Sequence, residues 1–340
     1  MSKRSDILRQ LEKARGGSRV ITYITSDRKP PFQAKMALDV VRPFYEHLKR
    51  VGHVEQIDVL IFSCGGDTIA PWRLVNLTRE FCHRLCVLVP YKAHSAATLL
   101  ALGADEIVMG PMGELSPIDP SISTPFNPPH PDNPNEPKIE IGVEDVTGFI
   151  NLAKERAGIT SQETMVQVFG KLVERIHPLA IGGVYRSHAL IRLLAAKMLA
   201  LHTTQSVEEK RIPKIVDDLA EKLFYHNYLI SRTEAQNLGL KVSKSSEDIE
   251  KLMWDLYLTY EMEMGLGKPF DPKDYAQGTP VPESDVSIAL VESLGLCSKI
   301  SKRIQVTHIA GPPQPGFPPG PKFAFQETII GWTTEETKEE

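Results

Sequence analysis

Apolar and polar residues alternate in blocks along the first third of the chain, and the period of the pattern changes from block to block. Two apolar runs, VLIF ending at Phe62 and CVLVP ending at Pro90, have the length and β-branched content of strands buried on both faces. Segments with helical spacing separate them. The predicted elements are the strand Arg19–Thr25, helix Met36–Gly52, strand Ile57–Ser63, helix Pro71–Arg84, strand Leu85–Pro90, helix Ala96–Gly103 and strand Glu106–Met109. This order predicts an α/β fold with a mainly parallel sheet.

The pattern changes after this block. The segment 117–137 carries eight prolines, which predicts a loop without regular structure. The later predicted elements are the helices Glu144–Ala157, Gln162–Ile176, Ser187–His202 and Asp248–Tyr260, and the strands Ser287–Glu292 and Arg303–Ile309. The segment GPPQPGFPPGP at 311–321 has the composition of an extended polyproline-like arm or of a linker.

These boundaries divide the chain into four predicted regions. Residues 1–18 form an N-terminal helix, and 19–243 form the main domain with a helical insertion at about 144–222. Residues 244–310 add a C-terminal helix and strands, and 311–340 form the Pro/Gly-rich arm and an acidic tail.

Two features at predicted strand ends suggest acyl-transfer chemistry. Ser95 opens an alanine-rich helix, and Gly65-Gly66 follows the preceding strand. A serine that attacks a carbonyl creates an oxyanion that needs two preorganised donors. Glycine tolerates the backbone angles that turn an N–H toward such an oxygen. The pair Gly65 and Gly66 would supply one donor and the amide of Ala96 the other. Taken separately, the glycines fit a tight turn and Ser95 fits an ordinary helix N-cap.

Together, these motifs resemble the Clp protease and signal-peptide-peptidase superfamily, and within it the serine dehydrogenase proteinase family. The resemblance rests on SCGGDTIAPWRLV and on AHSAATLLALGADEIVMGPMGELSPIDP, and extends over roughly Arg19 to Val242. It implies a Clp/crotonase-like fold of repeated ββα or βαβ units, with inserted helices and a C-terminal extension. It also implies a serine peptidase without a cofactor, acting on peptide or protein substrates as a homo-oligomer. The chain departs from the usual pattern at His94 and at Ala97, where a glycine is common.

The resemblance leaves the general base open. In the Clp arrangement, the aligned positions fall on or near Asp119 and His226, so the acid and the imidazole exchange places. His226 would be the base and Asp119 its orienting carboxylate, which is the preferred assignment. In the signal-peptide-peptidase arrangement a buried lysine is the base, and Lys138 falls in the required window. His177 is a third choice, although a packed or capping histidine at a helix end is the favoured interpretation.

Composition and charge argue against several classes of function and location. The chain has 340 residues, a net charge of −4 and no basic stripe, which argues against nucleic-acid binding. No apolar run approaches the roughly 18 to 20 residues that a membrane span requires. The N-terminus lacks the apolar core of a secretory signal, so we expect a cytoplasmic protein. The four cysteines show no metal-ligand spacing and are expected to be free thiols.

Three functions therefore follow as hypotheses. The first is a serine peptidase that forms an acyl-enzyme on Ser95. The second is a crotonase-type acyl-thioester enzyme, which would use the same glycines without a serine nucleophile. The third is a catalytically silent oligomeric scaffold in which Ser95 only caps a helix. Labelling of Ser95 by a fluorophosphonate would distinguish the first from the other two.

Overall fold

The computed structural model describes the chain in eight stretches, and every structural statement below refers to them. These stretches are residues 3–118, 121–122, 124–131, 138–202, 210–221, 228–275, 283–309 and 322–337.

One eight-stranded sheet organises these residues. Its strands are β1 (Arg19–Thr25), β2 (Val54–Phe62), β3 (Cys82–Val89), β5 (Glu106–Met109), β10 (Val242–Ser243), β11 (Glu283–Ser293), β12 (Leu296–Ile309) and β13 (Lys322–Glu336). The order across the sheet is β10-β5-β3-β2-β1-β11-β12-β13. The pairings from β10 to β1 are parallel, and those from β1 to β13 are antiparallel. The predicted α/β fold with a mainly parallel sheet is confirmed.

Helices cover both faces of the sheet. The first seven helices of the described stretches are α1 (Lys3–Ala14), α2 (Val41–Val51), α3 (Ile69–Arg79), α4 (Ala96–Leu102), α5 (Val143–Asn151), α6 (Gln162–Arg175) and α7 (Pro178–Ala200). A 3₁₀ turn at Leu38–Val40 precedes α2, and a π-helical turn at Leu152–Arg156 continues α5. Four further helices follow, at Ile212–Ala220, Arg232–Asn237, Glu247–Met264 and Pro272–Tyr275.

The apolar runs of the central strands are explained by burial on both sides. In β2, Val59 and Ile61 join the core cluster that contains side chains of α2, α3 and α4. Leu60 and Phe62 join the opposite cluster, with α1 and the helix Glu247–Met264. Because successive side chains of a strand point to opposite faces, a strand covered on both faces needs apolar residues at every position.

Two small sheets lie beside the large one. The strands β4 (Lys92–Ala93), β6 (Glu114–Leu115) and β9 (Ile230–Ser231) form the first in the order β4-β6-β9. The strands β7 (Ser121–Ile122) and β8 (Ile141–Gly142) form the second. The expectation of a proline loop without any regular structure was therefore wrong at β7. A strand of two residues needs only two partner residues, and neither residue of β7 is a proline, so the surrounding prolines do not prevent the pairing.

Some predicted boundaries also need correction. The helix expected to reach Arg84 ends at Arg79, because Arg84 already pairs with Gln56 in the large sheet. The helix expected from Ser187 begins at Pro178, which occupies the first helical turn after the N-cap residue His177. Its early turns contain two consecutive glycines, which weaken the helical signal in the sequence.

The largest difference lies near the C-terminus. Residues 322–336, predicted as part of an arm and an acidic tail, form β13, the edge strand of the large sheet. Thirteen registered pairs join it to β12, from Leu296↔Glu336 to Ile309↔Lys322. The β-branched and aromatic residues of FAFQETIIGWTT fit a pleated edge, and the charged residues at its end do not prevent pairing.

Candidate active site

The backbone at Ser95 is strained. Ser95 lies between β4 and α4 with φ 50° and ψ −112°, and it is the one non-glycine residue with positive φ in the described stretches. Residues held in such sparsely populated regions persist only where their surroundings enforce them, and they cluster at functional sites. The helix that follows is entirely buried, whereas Ser95 itself is partly exposed. Its hydroxyl is therefore not sealed inside the core.

The structure brings the predicted glycine pair to this serine. A Cβ added at Gly65 would lie 2.7 Å from the Cβ of Ser95 and 2.9 Å from the carbonyl oxygen of His94. A Cβ at Gly66 would overlap the backbone of Met36, whose nitrogen would lie only 2.7 Å away. Both glycines also have positive φ, 95° and 152°. Close approach and backbone conformation therefore both require glycine at these positions.

Hydrogen bonds decide which N–H groups remain available. The N–H of Gly65 donates to the hydroxyl of Ser63 at 3.1 Å, so it is already used. The N–H of Gly66 and that of Ala96 make no hydrogen bond within the described stretches. Ala96 is the first residue of α4, where the backbone N–H groups of a helix have no partner inside the helix. Both N–H groups can therefore donate to an anionic oxygen.

Two buried hydroxyls, those of Ser116 and Thr98, hold the turn that carries Ser95 from its buried side. The N–H of Ser95 donates to the hydroxyl of Ser116 at 2.8 Å. The N–H of Ser116 donates to the hydroxyl of Thr98 at 3.0 Å, and Thr98 donates to the carbonyl of Ala93 at 2.7 Å. Neither Ser116 nor Thr98 is predicted from the sequence. Ser116 meets the N–H of Ser95, and Thr98 meets the N–H of Ser116, because β4 pairs with β6, and strands of two residues leave no periodic signal.

A group of charged side chains lies next to this turn. The ammonium of Lys92 donates to the carboxylate of Asp27 at 2.8 Å, and Nε2 of His94 lies 3.1 Å from the carboxylate of Glu114. Burial raises the pKa of Glu114, against the attraction of Lys92. Burial lowers the pKa of Lys92, but the hydrogen bond to Asp27 and the attraction of nearby groups, Asp27 foremost, together outweigh burial, so the pKa of Lys92 is raised. Lys92 is therefore a charged partner of Asp27 and not a neutral base.

Not all predicted base residues can be placed. Asp119 and His226 lie outside the described residues. Lys138 is exposed, and its ammonium donates to the carbonyl of Pro125 in the proline-rich loop. A neutral lysine base depends on burial, so this placement gives Lys138 no support. His177 accepts the N–H of Leu179 at 3.2 Å as the N-cap of α7, which confirms the capping interpretation.

The geometry of Ser95 and the glycines agrees with a comparison against protein families. Residues 1–131 match the ClpP-like SDH-type serine proteinase family. The matched region includes Gly65, Gly66 and Ser95, and it ends before the helical insertion. The resemblance inferred from the sequence motifs is thereby confirmed over this region, and it supports a serine peptidase.

Two curated relatives are uncharacterized proteins of Methanocaldococcus jannaschii. One is 27% identical over 125 residues, which cover 35% of this chain and 42% of the relative. The other is 24% identical over 201 residues, which cover 59% of this chain and 58% of the relative. The chain thus spans less than two thirds of the length of either relative.

Solved structures give more distant similarities. A mutant of 1510-N, a membrane-bound stomatin-specific protease, is 13% identical with a TM-score of 0.33, covering 73% of this chain and 87% of that one. A second 1510-N mutant, in complex with a substrate peptide, is 12% identical with a TM-score of 0.39, at coverages of 69% and 78%. ClpP1 from Listeria monocytogenes is 12% identical with a TM-score of 0.34, at coverages of 71% and 98%.

The described stretches contain no group of three His, Cys, Asp or Glu side chains that could hold a metal ion. None of the helices in those stretches combines the length and the apolar character needed to cross a membrane.

Proposed function

We propose that this protein is a serine endopeptidase-like hydrolase that cleaves peptide bonds through an acyl-enzyme on Ser95. The observation that carries the proposal is the strained, partly exposed Ser95 at the start of a buried helix, with Gly65 packed against its Cβ. An ordinary N-cap serine adopts extended backbone angles and accepts a hydrogen bond from the first helical turn. Ser95 does neither, since its side chain makes no capping hydrogen bond.

The available donors define the proposed oxyanion hole. Attack of the Ser95 hydroxyl on a peptide carbonyl would leave a negative oxygen, which the N–H groups of Gly66 and Ala96 would bind. Gly65, expected to share this role, would act through its lack of a side chain, because its N–H already binds Ser63. The proton of the hydroxyl would pass to a base and then to the leaving amine, and water would release the acyl group.

His226 with Asp119 remains the proposed base and orienting acid, and the described residues that flank them support the pairing. The N–H of Ile118, next to Asp119 in sequence, donates to the carbonyl of Leu219 at 3.1 Å. On the other side of the 222–227 segment, β9 pairs with β6, which directly precedes Ser116. Both segments that flank 222–227 are thus hydrogen-bonded to residues within two positions of Ser116, whose hydroxyl accepts the N–H of Ser95.

The proposed substrate is a peptide or protein, and the proposed mechanism uses no cofactor. A homo-oligomer stays a prediction. It is supported by α6, which buries none of its residues and exposes Val166 and Phe169, and by the exposed Tyr185 of α7. Such apolar side chains are suited to a contact with a second copy of the chain.

The proposal is tested by covalent labelling. A fluorophosphonate probe should attach to Ser95 of the wild-type protein, as located by peptide mass spectrometry, and Ser95→Ala should abolish labelling and hydrolysis of a casein substrate. His226→Ala should slow labelling strongly at neutral pH, whereas Lys138→Ala, which removes an exposed amine, should leave the rate unchanged. Hydrolysis that persists in Ser95→Ala would refute the nucleophile assignment. A slow Lys138→Ala variant beside a normal His226→Ala variant would transfer the role of base to Lys138.

A further inference from the structure

The turn that carries Ser95 is closed by two hydroxyl groups from inside the protein. Thr98 and Ser116 are buried, with 0% and 1% of their surface exposed. Neither contacts solvent, so neither hydroxyl is available to bind a substrate. Their hydrogen bonds run from the carbonyl of Ala93, before the turn, through Thr98 and Ser116 to the N–H of Ser95.

Each hydroxyl in this chain has a defined direction. Thr98 donates its proton to the carbonyl of Ala93 and accepts the N–H of Ser116. Ser116 donates its proton to the carbonyl of Pro117 at 3.0 Å and accepts the N–H of Ser95. Every donor in the chain is therefore used once. Removal of the Thr98 hydroxyl would leave the buried N–H of Ser116 without an acceptor, and removal of the Ser116 hydroxyl would leave the N–H of Ser95 without its acceptor, both of which are unfavourable.

The position of these bonds matters because Ser95 is strained. A serine at φ 50° and ψ −112° has a backbone that glycine adopts easily and serine does not. The N–H of Ala97 donates to the carbonyl of His94 at 2.8 Å, which closes the turn on its helical side. The hydroxyl of Ser116 accepts the N–H of that same peptide group, so these two bonds fix the peptide between His94 and Ser95. The carbonyl of Ser95 accepts the N–H of Leu99 at 3.0 Å, which orients the next peptide and with it the N–H of Ala96.

Ser116 is itself fixed at both ends. Leu115, the residue before it, pairs with Ile230 in the small sheet, and Ile118, two residues after it, donates to the carbonyl of Leu219. The acceptor of the Ser95 N–H therefore lies on a segment held by two separate elements. A rigid support of this kind can keep a strained residue in place, which a mobile loop cannot.

We propose that Ser116 is a positioning residue for catalysis, supported by Thr98. By accepting the N–H of Ser95 it would hold the strained backbone that directs the Ser95 hydroxyl and the Ala96 N–H toward the same substrate carbonyl. The inference rests on the proposed function, because it assigns a role to Ser116 within that site.

The experiment compares two substitutions that remove a hydroxyl with two controls. Ser116→Ala and Thr98→Val delete the two hydroxyls, and the valine keeps the shape of the threonine. Thr98→Ser retains the hydroxyl and should rescue. Ser293→Ala removes another buried serine hydroxyl, 2.8 Å from Nδ1 of His47 and remote from the turn in the hydrogen-bond network. For each variant we would measure the second-order labelling rate with a fluorophosphonate, the thermal midpoint, and hydrogen exchange resolved to the Ser95 amide.

We expect Ser116→Ala to lower the labelling rate roughly 10- to 100-fold, as misplacement of a catalytic group by about 1 Å does. Thr98→Val should lower it in the same direction, and Thr98→Ser should label like the wild type. Ser293→Ala should lower the thermal midpoint without slowing labelling. The Ser95 amide should lose its protection from exchange in Ser116→Ala.

Three results would overturn the inference. These are wild-type labelling in Ser116→Ala, a Ser95 amide that stays protected there, or an equal slowing in Ser293→Ala at an equal loss of stability. A wild-type protein that is not labelled at Ser95 would instead refute the proposed peptidase. In that case the exchange of the Ser95 amide still decides whether Ser116 holds the turn.

Discussion

Two clusters of buried hydroxyls differ in what they leave open. One lies in α4 and after β6, beside the parallel half of the large sheet, and the other lies in the antiparallel half of that sheet. In the antiparallel half, both ring nitrogens of the fully buried His47 have partners, the hydroxyl of Ser293 at 2.8 Å and that of Ser298 at 3.0 Å. Ser298 lies 2.8 Å in turn from the hydroxyl of Thr334 in β13. None of these residues has a positive φ.

The cluster beside the parallel half also consists of buried hydroxyls, but these bind backbone groups of a strained turn. Its hydroxyls belong to Ser116 and Thr98, and they satisfy the backbone below a strained Ser95. Above the turn, the N–H groups of Gly66 and Ala96 remain without partners in the described stretches. The cluster around His47 is complete and serves stability. The cluster at Ser95 is incomplete on one side, where a substrate oxygen would complete it.

A third cluster shows that charge can also be enclosed. The guanidinium of Arg4 in α1 donates to the carboxylate of Glu292 in β11 at 2.8 Å, and the phenol of Tyr260 donates to the same carboxylate at 3.0 Å. Burial raises the pKa of Glu292, and Arg4 partly offsets this effect. All partners come from within the fold, so this network attaches α1 to the sheet and leaves nothing open for a ligand.

The largest loss of labelling rate should follow from a substitution of Gly66, on the side of the Ser95 cluster where N–H groups have no partner in the described stretches. Gly66→Ala would place a Cβ against the backbone of Met36, and the displaced loop would carry the N–H of residue 66 away from the oxyanion. Loss of one oxyanion donor typically costs about 2.7 to 4 kcal/mol, or roughly 10² to 10³ in rate. We expect a loss of labelling rate of at least this size, measured at a temperature where the variant is still folded by circular dichroism.

The matched control is Gly148→Ala in α5, where an added Cβ meets no atom within 4 Å. It should label like the wild type. If Gly66→Ala is labelled normally while it stays folded, the free N–H groups beside Ser95 do not form an oxyanion hole. The difference between the Ser95 and His47 clusters then has no bearing on catalysis.

The proximity of Ser95 and the glycines could be predicted from the sequence because of strand pairing. The strands β2 and β3 are neighbours in a parallel sheet, so the residues that follow them meet at one edge. The apolar runs that reveal these strands come from burial on both faces. The prediction therefore rests on two features of a parallel sheet: apolar runs that mark the buried strands, and pairing of neighbouring strands that places their ends together.

Other parts of the site had no such signal. The hydroxyl of Ser116 reaches the N–H of Ser95 from 21 residues away, through strands of two residues each. Whether the N–H of Gly65 or of Gly66 is free depends on one side chain, that of Ser63. The strand β13 was missed for a similar reason, since its partner β12 and its position at the edge follow from tertiary pairing. Such details depend on contacts between distant residues and leave no periodic pattern.

The next effect concerns the complete cluster and depends on pH. Burial, with a smaller contribution from Arg50, lowers the pKa of His47 to about 4, against about 6.5 in an unfolded chain. Above pH 6.5 the imidazole is neutral in both states and has no effect. Between pH 6.5 and 4 only the unfolded chain binds the proton, so the free energy of unfolding should fall by about 3 kcal/mol.

Urea unfolding at several pH values between 7 and 4 measures this decrease. In His47→Gln, which cannot titrate, the part of the decrease that belongs to His47 should disappear, and labelling of Ser95 at pH 7 should be unchanged. An unaltered pH dependence in that variant would show that His47 does not supply the effect. A slower labelling rate at pH 7 would show that the two clusters are coupled.

The smallest effect tests whether an ordinary N-cap serine behaves differently from Ser95. Ser246 has extended backbone angles, φ −68° and ψ 156°, and its hydroxyl accepts the N–H of Ile249 at 3.4 Å at the start of the helix Glu247–Met264. Ser246→Ala should lower the free energy of unfolding by about 1 kcal/mol, the usual cost of a lost cap. The neighbouring Ser245→Ala, which removes no cap, should cost less in the same urea titration.

Neither change should slow the labelling of Ser95, because Ser246 caps a helix and Ser95, with strained angles and no capping bond, does not. If Ser246→Ala slows labelling, the helix Glu247–Met264 contributes to the site, and the division between complete clusters and the incomplete one is wrong.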